Sequence, residues 1–134
     1  MDWITPRVAI GDLDDAVNLP NLRKAGVTAI LCLNGFPTFP RFEGFTWCQV
    51  PLRDGEGNQP SQVRAAVESI DRLVKADHRI LVHCDAGASR APFVGAVYLA
   101  TYCGLGFRQA LSLVAERRSA TDINPPLLAL YPLT

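Results

Sequence analysis

The chain has 134 residues, enough for one domain with a real core and too few for a second module. Apolar residues make up 49% of it and charged residues 19%, the balance of a globular domain rather than a disordered segment. Lys plus Arg number 13 and Asp plus Glu number 13, so no global basic field marks a nucleic-acid or anionic-membrane partner.

Met1 to Pro6 lacks the charged start and long apolar core of a signal peptide. Val8-Ala9-Ile10 reads as a short strand, and Leu19 to Ala25 as a short helix stopped by Gly26. Thr28 to Leu33 is a continuous apolar run ending at Asn34-Gly35, the pattern of a central strand. Phe36 to Gly44, with two prolines, reads as a loop, and Thr46 to Val50 as the next strand. Pro60 opens a helix on which Val63, Val67, Ile70 and Val74 recur at helical spacing. Ile80 to Val82 forms a short buried strand. The helix Ala91 to Cys103 is apolar all round and is expected at the centre of the molecule. Phe107 to Arg118 gathers Ala110, Leu111, Val114 and Ala115 on one face, and Asn124 caps a last turn starting at Pro125. This alternation predicts a single α/β domain over residues 1–134, a mostly parallel central sheet flanked by helices on both faces. The longest uncharged run, Ala91 to Phe107, contains two glycines, a proline and polar residues. It falls short of the roughly 18–20 apolar residues of a membrane span, so no membrane association is expected.

Between the last short strand and the central helix lies His83-Cys84-Asp85-Ala86-Gly87-Ala88-Ser89-Arg90. A strand, a tight loop of small residues and a helix start make an anion cradle. Main-chain N–H groups point inward, and the positive end of the helix favours negative charge. Cys84 at the start of the loop and Arg90 at its end set a nucleophile against a bound oxyanion. Cysteine attacks as thiolate, a form favoured by a helix N-terminus and by a fixed cation. Arginine's planar fork grips two phosphate oxygens, which a lysine could not reproduce. Gly87 permits positive φ or close backbone approach, and Ala86 and Ala88 leave room for a ligand. Such a loop sits at the C-terminal edge of a central strand, where parallel sheets bind ligands.

His83-Cys84-x5-Arg90 resembles the signature of the cysteine-based protein-tyrosine-phosphatase superfamily. The form Cys-x-Ala-Gly-x-Ser-Arg is most similar to a compact dual-specificity phosphatase. Ile4 to Asp12 is similar to that family's opening strand, Leu22 to Leu31 to its leucine, glycine, isoleucine, threonine segment, and Arg118 to Pro125 to its last loop and helix start. The resemblance implies a protein phosphatase that hydrolyses phosphotyrosine, phosphoserine and phosphothreonine through a phosphocysteine intermediate, without cofactor or metal. It makes Cys84 the nucleophile, and Arg90 with the N–H groups of Asp85, Ala86, Gly87, Ala88 and Ser89 the phosphate cradle. It also places a general-acid aspartate on a mobile loop some thirty residues before the cysteine. Asp54 stands there, entering the glycine-flanked stretch Gly55-Glu56-Gly57-Asn58, with Glu56 in reserve. Asp85 would repel a bound phosphate, so its side chain is expected to point outward. His83 and Asn124 are expected to order the loops. One departure stands out: Ala91 occupies the position where family members usually carry Ser or Thr. That hydroxyl helps the cysteine sulfur leave, so its loss predicts a working but slow enzyme, with the role of the nearby Ser89 left open.

Cys32, Cys48 and Cys103 read as buried small hydrophobes, and no close sequence partner marks a disulfide to Cys84. No CxxC or Cys/His spacing indicates zinc. A reactive thiolate needs a reducing compartment, so the cytoplasm is expected. No lysine or arginine lies between Cys84 and Arg90, which argues against polyphosphorylated substrates. The absence of long insertions predicts a shallow pocket and a phosphoprotein substrate. Phe36, Phe39 and Phe42 are candidates for its rim, and Arg41, Arg53 and Arg118 for attracting acidic sequence around a phosphosite. The sequence leaves the oligomeric state open. Two competing readings are a phosphate-recognising adaptor and a sulfur or arsenate enzyme of the rhodanese or arsenate-reductase kind. The latter types lack Asp54 before the motif and Asn124 after it.

Overall fold

The computed structural model describes residues 1–35 and 44–133. The rim candidates Phe36, Phe39 and Phe42, together with Arg41, lie outside the described residues. In chain order the elements are β1 (Asp2–Trp3), β2 (Val8–Gly11), α1 (Leu13–Val17), α2 (Leu19–Lys24), β3 (Ala29–Cys32), β4 (Thr46–Gln49), α3 (Pro60–Lys75), β5 (Ile80–His83), α4 (Arg90–Tyr102), α5 (Phe107–Arg117) and α6 (Pro125–Leu128).

The described strands form one sheet in the order β1-β2-β5-β3-β4. Strand β1 is antiparallel to β2, and every other pair is parallel. The sheet is thus mixed and mostly parallel. Because Val8 and Ala29 both pair with Ile80, β5 is flanked on each side and its C-terminal end opens at the middle of the sheet edge. The residues of β2, β3 and β5 are buried throughout, as continuous apolar runs require when both faces are covered.

Side-chain alternation divides the core into two layers. Ile80, Val82 and Cys84 join Ile10, Leu31, Val67, Ile70, Phe93, Val97, Val114 and Leu127 on the face covered by α3 to α6. Leu81, Ala9 and Ile30 face Ala16 of α1 and Leu22 of α2 on the other. Helices therefore cover both faces, as expected. Nine consecutive residues of α4, Ala91 to Leu99, are buried, which makes it the central helix. A side chain at Gly95 would meet Ile10 Cδ1 at 2.9 Å and Ile4 Cδ1 at 3.0 Å. A glycine in mid-helix costs up to about 1 kcal/mol in propensity, and here it lets α4 lie against β2.

The strand expected at Val8–Ile10 is present as Val8–Gly11, and Thr5 Oγ1 accepts the N–H groups of Arg7 and Val8 where the chain turns into it. Two other local features differ from what the sequence suggests. Helix α1 is too short to show a period, yet its start is specified by reciprocal capping. Asp15 N–H donates to Asp12 Oδ1 at 2.8 Å, and Asp12 N–H donates to Asp15 Oδ2 at 3.0 Å. Asn124 does occupy the N-cap position of α6, but its side chain makes no capping bond there.

Candidate active site

Residues 84–89 leave the C-terminal end of β5 and enter α4 at Arg90. The carbonyls of this loop are taken one after another by groups outside it. Leu13 N–H donates to Asp85 O at 3.0 Å, and Asp122 N–H to Ala88 O at 2.7 Å. Between them, Arg118 donates from Nη2 to Ala86 O at 3.3 Å and from Nε to Gly87 O at 2.6 Å. In a trans peptide the C=O and the following N–H point in opposite directions. Four outward carbonyls therefore turn the N–H groups of residues 86–89 inward, the arrangement an anion-binding concavity needs. Gly87 has φ +64, and a side chain there would meet Gly11 O at 2.7 Å and Arg118 Nη2 at 2.5 Å. No L side chain fits between the β2 backbone and that guanidinium.

Cys84 is 2% exposed, and its Sγ accepts the N–H of Ala91 at 3.4 Å. The sulfur thus lies at the foot of α4, held by the backbone of the residue whose methyl side chain replaces the expected hydroxyl. Ser89 Oγ, the nearby hydroxyl, accepts the N–H of Asn124 at 2.9 Å. His83 is fully buried, with Nδ1 3.3 Å from Cys84 O. Burial pushes its pKa below the ordinary histidine value, against the opposing pull of the Cys84 carbonyl. A neutral ring between β5 and the loop fits an ordering role.

Arg90 is nearly buried. It donates from Nη1 to Leu52 O at 3.2 Å, and its Nη2 lies 3.5 Å from Asp85 Oδ2. Its Nε is buried without a hydrogen-bond partner among the described residues. The Asp85 side chain is 64% exposed, with Oδ1 accepting Asn34 Nδ2 at 2.9 Å and Oδ2 lying beside the Arg90 guanidinium.

Asp54 and Glu56 are exposed on the segment that follows Leu52. This segment is tied by two asparagines. Asn58 accepts Arg53 N–H through Oδ1 at 2.8 Å and donates through Nδ2 to Arg53 O at 2.8 Å and Gly55 O at 3.3 Å. Asn124 donates through Nδ2 to Asp54 O at 2.8 Å. Asn124 therefore orders the loop by bridging, not by capping α6. Asn58 is a site residue the sequence reading passed over as part of a flexible stretch.

Arg118 requires a correction. Expected at the surface to attract acidic sequence, it is 7% exposed and spends all three guanidinium nitrogens on Ala86, Gly87 and Asp2. Cys32 is buried at the end of β3, where burial pushes its thiol up, and all four cysteines are free. Cys103 departs from its expected burial and is exposed.

Comparison with known proteins points the same way. The family model "Dual specificity phosphatase, catalytic domain" matches residues 10–130. Human "Dual specificity protein phosphatase 9" is 33% identical over 127 residues, covering 91% of this chain and 32% of that protein, so the chain spans about a third of this relative's length. The crystal structure of human DUSP28 has the same fold, with a TM-score of 0.89 at 23% identity, covering 96% of this chain and 91% of that one. Human tyrosine phosphatase-like serine/threonine/tyrosine-interacting protein gives a TM-score of 0.85 at 26% identity, covering 96% and 91%.

Proposed function

Because the chain belongs to the family of dual specificity phosphatase catalytic domains, we propose that it is a cysteine-dependent protein phosphatase acting through a phosphocysteine intermediate. Its substrates are proteins carrying phosphotyrosine, phosphoserine or phosphothreonine, and residues 1–134 act as one catalytic unit. Cys84 thiolate attacks phosphorus in line, and the bond from phosphorus to the leaving oxygen breaks. Asp54 gives its proton to that oxygen, since an alkoxide or phenolate leaves poorly without one. Asp54 carboxylate then takes a proton from water, whose oxygen attacks phosphorus and releases inorganic phosphate and the thiolate. Arg90 and the inward N–H groups hold the equatorial oxygens where charge develops. A working thiolate needs a reducing compartment, which favours the cytoplasm as its setting.

The observation that carries this reading is the donor set around Cys84. Four loop carbonyls are engaged outside, and Arg90 Nε is a buried donor without a partner among the described residues. Leaving such a donor unsatisfied costs about 1–3 kcal/mol, which a phosphate oxygen would relieve. The test is hydrolysis of para-nitrophenyl phosphate, its inhibition by vanadate, and then rates on phosphotyrosine and phosphothreonine peptides. Phosphate release inhibited by vanadate supports the reading; a wild-type chain that binds vanadate and releases no phosphate points to the second reading below.

A phosphate-recognising adaptor is that second reading, and Ala91 favours it. The residue is fully buried and offers Cys84 its backbone N–H without a hydroxyl. A human structural relative is itself described as tyrosine phosphatase-like and as an interacting protein.

A further inference from the structure

Arg118 lies behind the phosphate loop, at the junction of α5 with the segment leading to α6. Its three guanidinium nitrogens each have one acceptor: Nε on Gly87 O at 2.6 Å, Nη2 on Ala86 O at 3.3 Å, and Nη1 on Asp2 Oδ2 at 2.8 Å. Asp2 belongs to the two-residue edge strand β1 and is placed by its pairing with Ile10 of β2. The loop at Gly87 is pressed between this guanidinium and the backbone of Gly11.

From this arrangement we infer that Arg118, oriented by Asp2, is a positioning residue for phosphate recognition, an inference that rests on the phosphatase reading above. The reason is peptide geometry. The Ala86 and Gly87 carbonyls must face outward for the N–H groups of Gly87 and Ala88 to face the phosphate. Without Arg118 both carbonyls lose their partner, and either peptide gains by rotating inward. A rotated peptide would turn a carbonyl oxygen toward an anion that needs a donor. Gly87 makes the rotation easy, because its backbone is the least restricted in the loop. A lysine cannot replace the arginine, since one ammonium cannot reach two carbonyls and a carboxylate in the geometry of a planar fork.

Kinetics and oxyanion binding on Arg118→Met, Arg118→Lys and Asp2→Asn test this, each compared with wild type at equal folded fraction by circular dichroism. The probes are para-nitrophenyl phosphate and orthovanadate. In Arg118→Met, KM and the vanadate inhibition constant rise about tenfold or more, the effect of losing hydrogen bonds from a charged donor. Arg118→Lys fails to restore them. Asp2→Asn raises both about threefold, because the carboxylate acts through the arginine. A folded Arg118→Met chain that loses thermal stability but keeps the wild-type vanadate constant overturns the inference. If Arg118→Met does not fold, Asp2→Asn decides, and a wild-type constant there overturns it equally. A wild-type chain that neither hydrolyses the ester nor binds vanadate removes the phosphatase reading itself, and this inference with it.

Discussion

Asn124 Nδ2 donates to the main-chain carbonyl of Asp54 at 2.8 Å, across 70 residues of sequence. The same residue's N–H donates to Ser89 Oγ at 2.9 Å, so one asparagine joins the proposed acid segment to the phosphate loop. Arg90 adds a parallel tie through Leu52 O at 3.2 Å, two residues before Asp54. The Asp54 segment and the phosphate loop are thereby set relative to each other by hydrogen bonds between side chains and main chain, none of which uses the carboxylate of Asp54, the proposed acid. Preorganisation of this kind reduces what must be reorganised in the transition state.

Removing the bridge should act on turnover more than on binding. Asn124→Ala lowers kcat up to about tenfold, the cost of one hydrogen bond, with KM little changed. Asp54→Asn lowers kcat on a phosphoserine peptide about 10²–10⁴-fold. The loss is smaller on para-nitrophenyl phosphate, whose leaving group needs less help from a proton. Steady-state kinetics on both substrates check this, and equal losses on the two would count against Asp54 as the acid.

Ala91 predicts where the slow step lies. Attack by Cys84 needs no hydroxyl at position 91, whereas release of the sulfur from phosphocysteine is helped by one. Rapid mixing with para-nitrophenyl phosphate should give a burst of nitrophenolate near one equivalent per enzyme, followed by slow turnover. In Ala91→Ser the steady rate rises and the burst shrinks. A steady rate unchanged by the serine would show that the Ala91 N–H, 3.4 Å from Sγ, serves as well.

His83 sets a pH dependence of stability. Its folded pKa lies below the ordinary value of 6.5 because burial penalises the charged ring. Between the folded and unfolded values the unfolded chain binds more protons, so stability rises with pH. The contribution is complete above about 6.5 and is lost as pH falls from there toward the folded pKa. Urea unfolding on the acid side of neutrality should show this slope. His83→Gln should flatten it by up to about 1.4 kcal/mol per pH unit.

Phe93 of α4 tests the core beneath the site. It is fully buried and meets Phe107 of α5 edge to face, with ring centroids 6.3 Å apart. Phe93→Ala should cost roughly 3–5 kcal/mol by chemical denaturation, through lost transfer energy and the cavity left behind.

The central features were legible because the sequence expresses each of them locally. The buried strands showed as apolar runs, α3 showed its helical period, and the cysteine-to-arginine spacing placed the cradle between β5 and α4. What escaped was set by partners far along the chain. Arg118 reads as one more charged residue at a helix end until Gly87 and Asp2 are placed beside it. Asn58 reads as part of a flexible turn, yet it makes three hydrogen bonds to residues 53–55. Asn124 reads locally as a cap before Pro125, and the family resemblance adds only that it orders the loops, without naming its partner. Its use as a bridge depends on Asp54, which no local pattern reveals. The Asp12-x-x-Asp15 pair was the available signal for α1: a capping box can mark a helix too short for periodicity.

The account stands most directly on whether Cys84 carries the phosphoryl group. Intact-protein mass spectrometry of acid-quenched enzyme after mixing with para-nitrophenyl phosphate measures this. The account predicts one phosphoryl mass increment on wild type, located to Cys84 by peptide mapping. In Cys84→Ser the increment is absent and turnover falls by at least about 10⁴-fold. Hydrolysis at the wild-type rate by Cys84→Ser, with no increment on either protein, would contradict it.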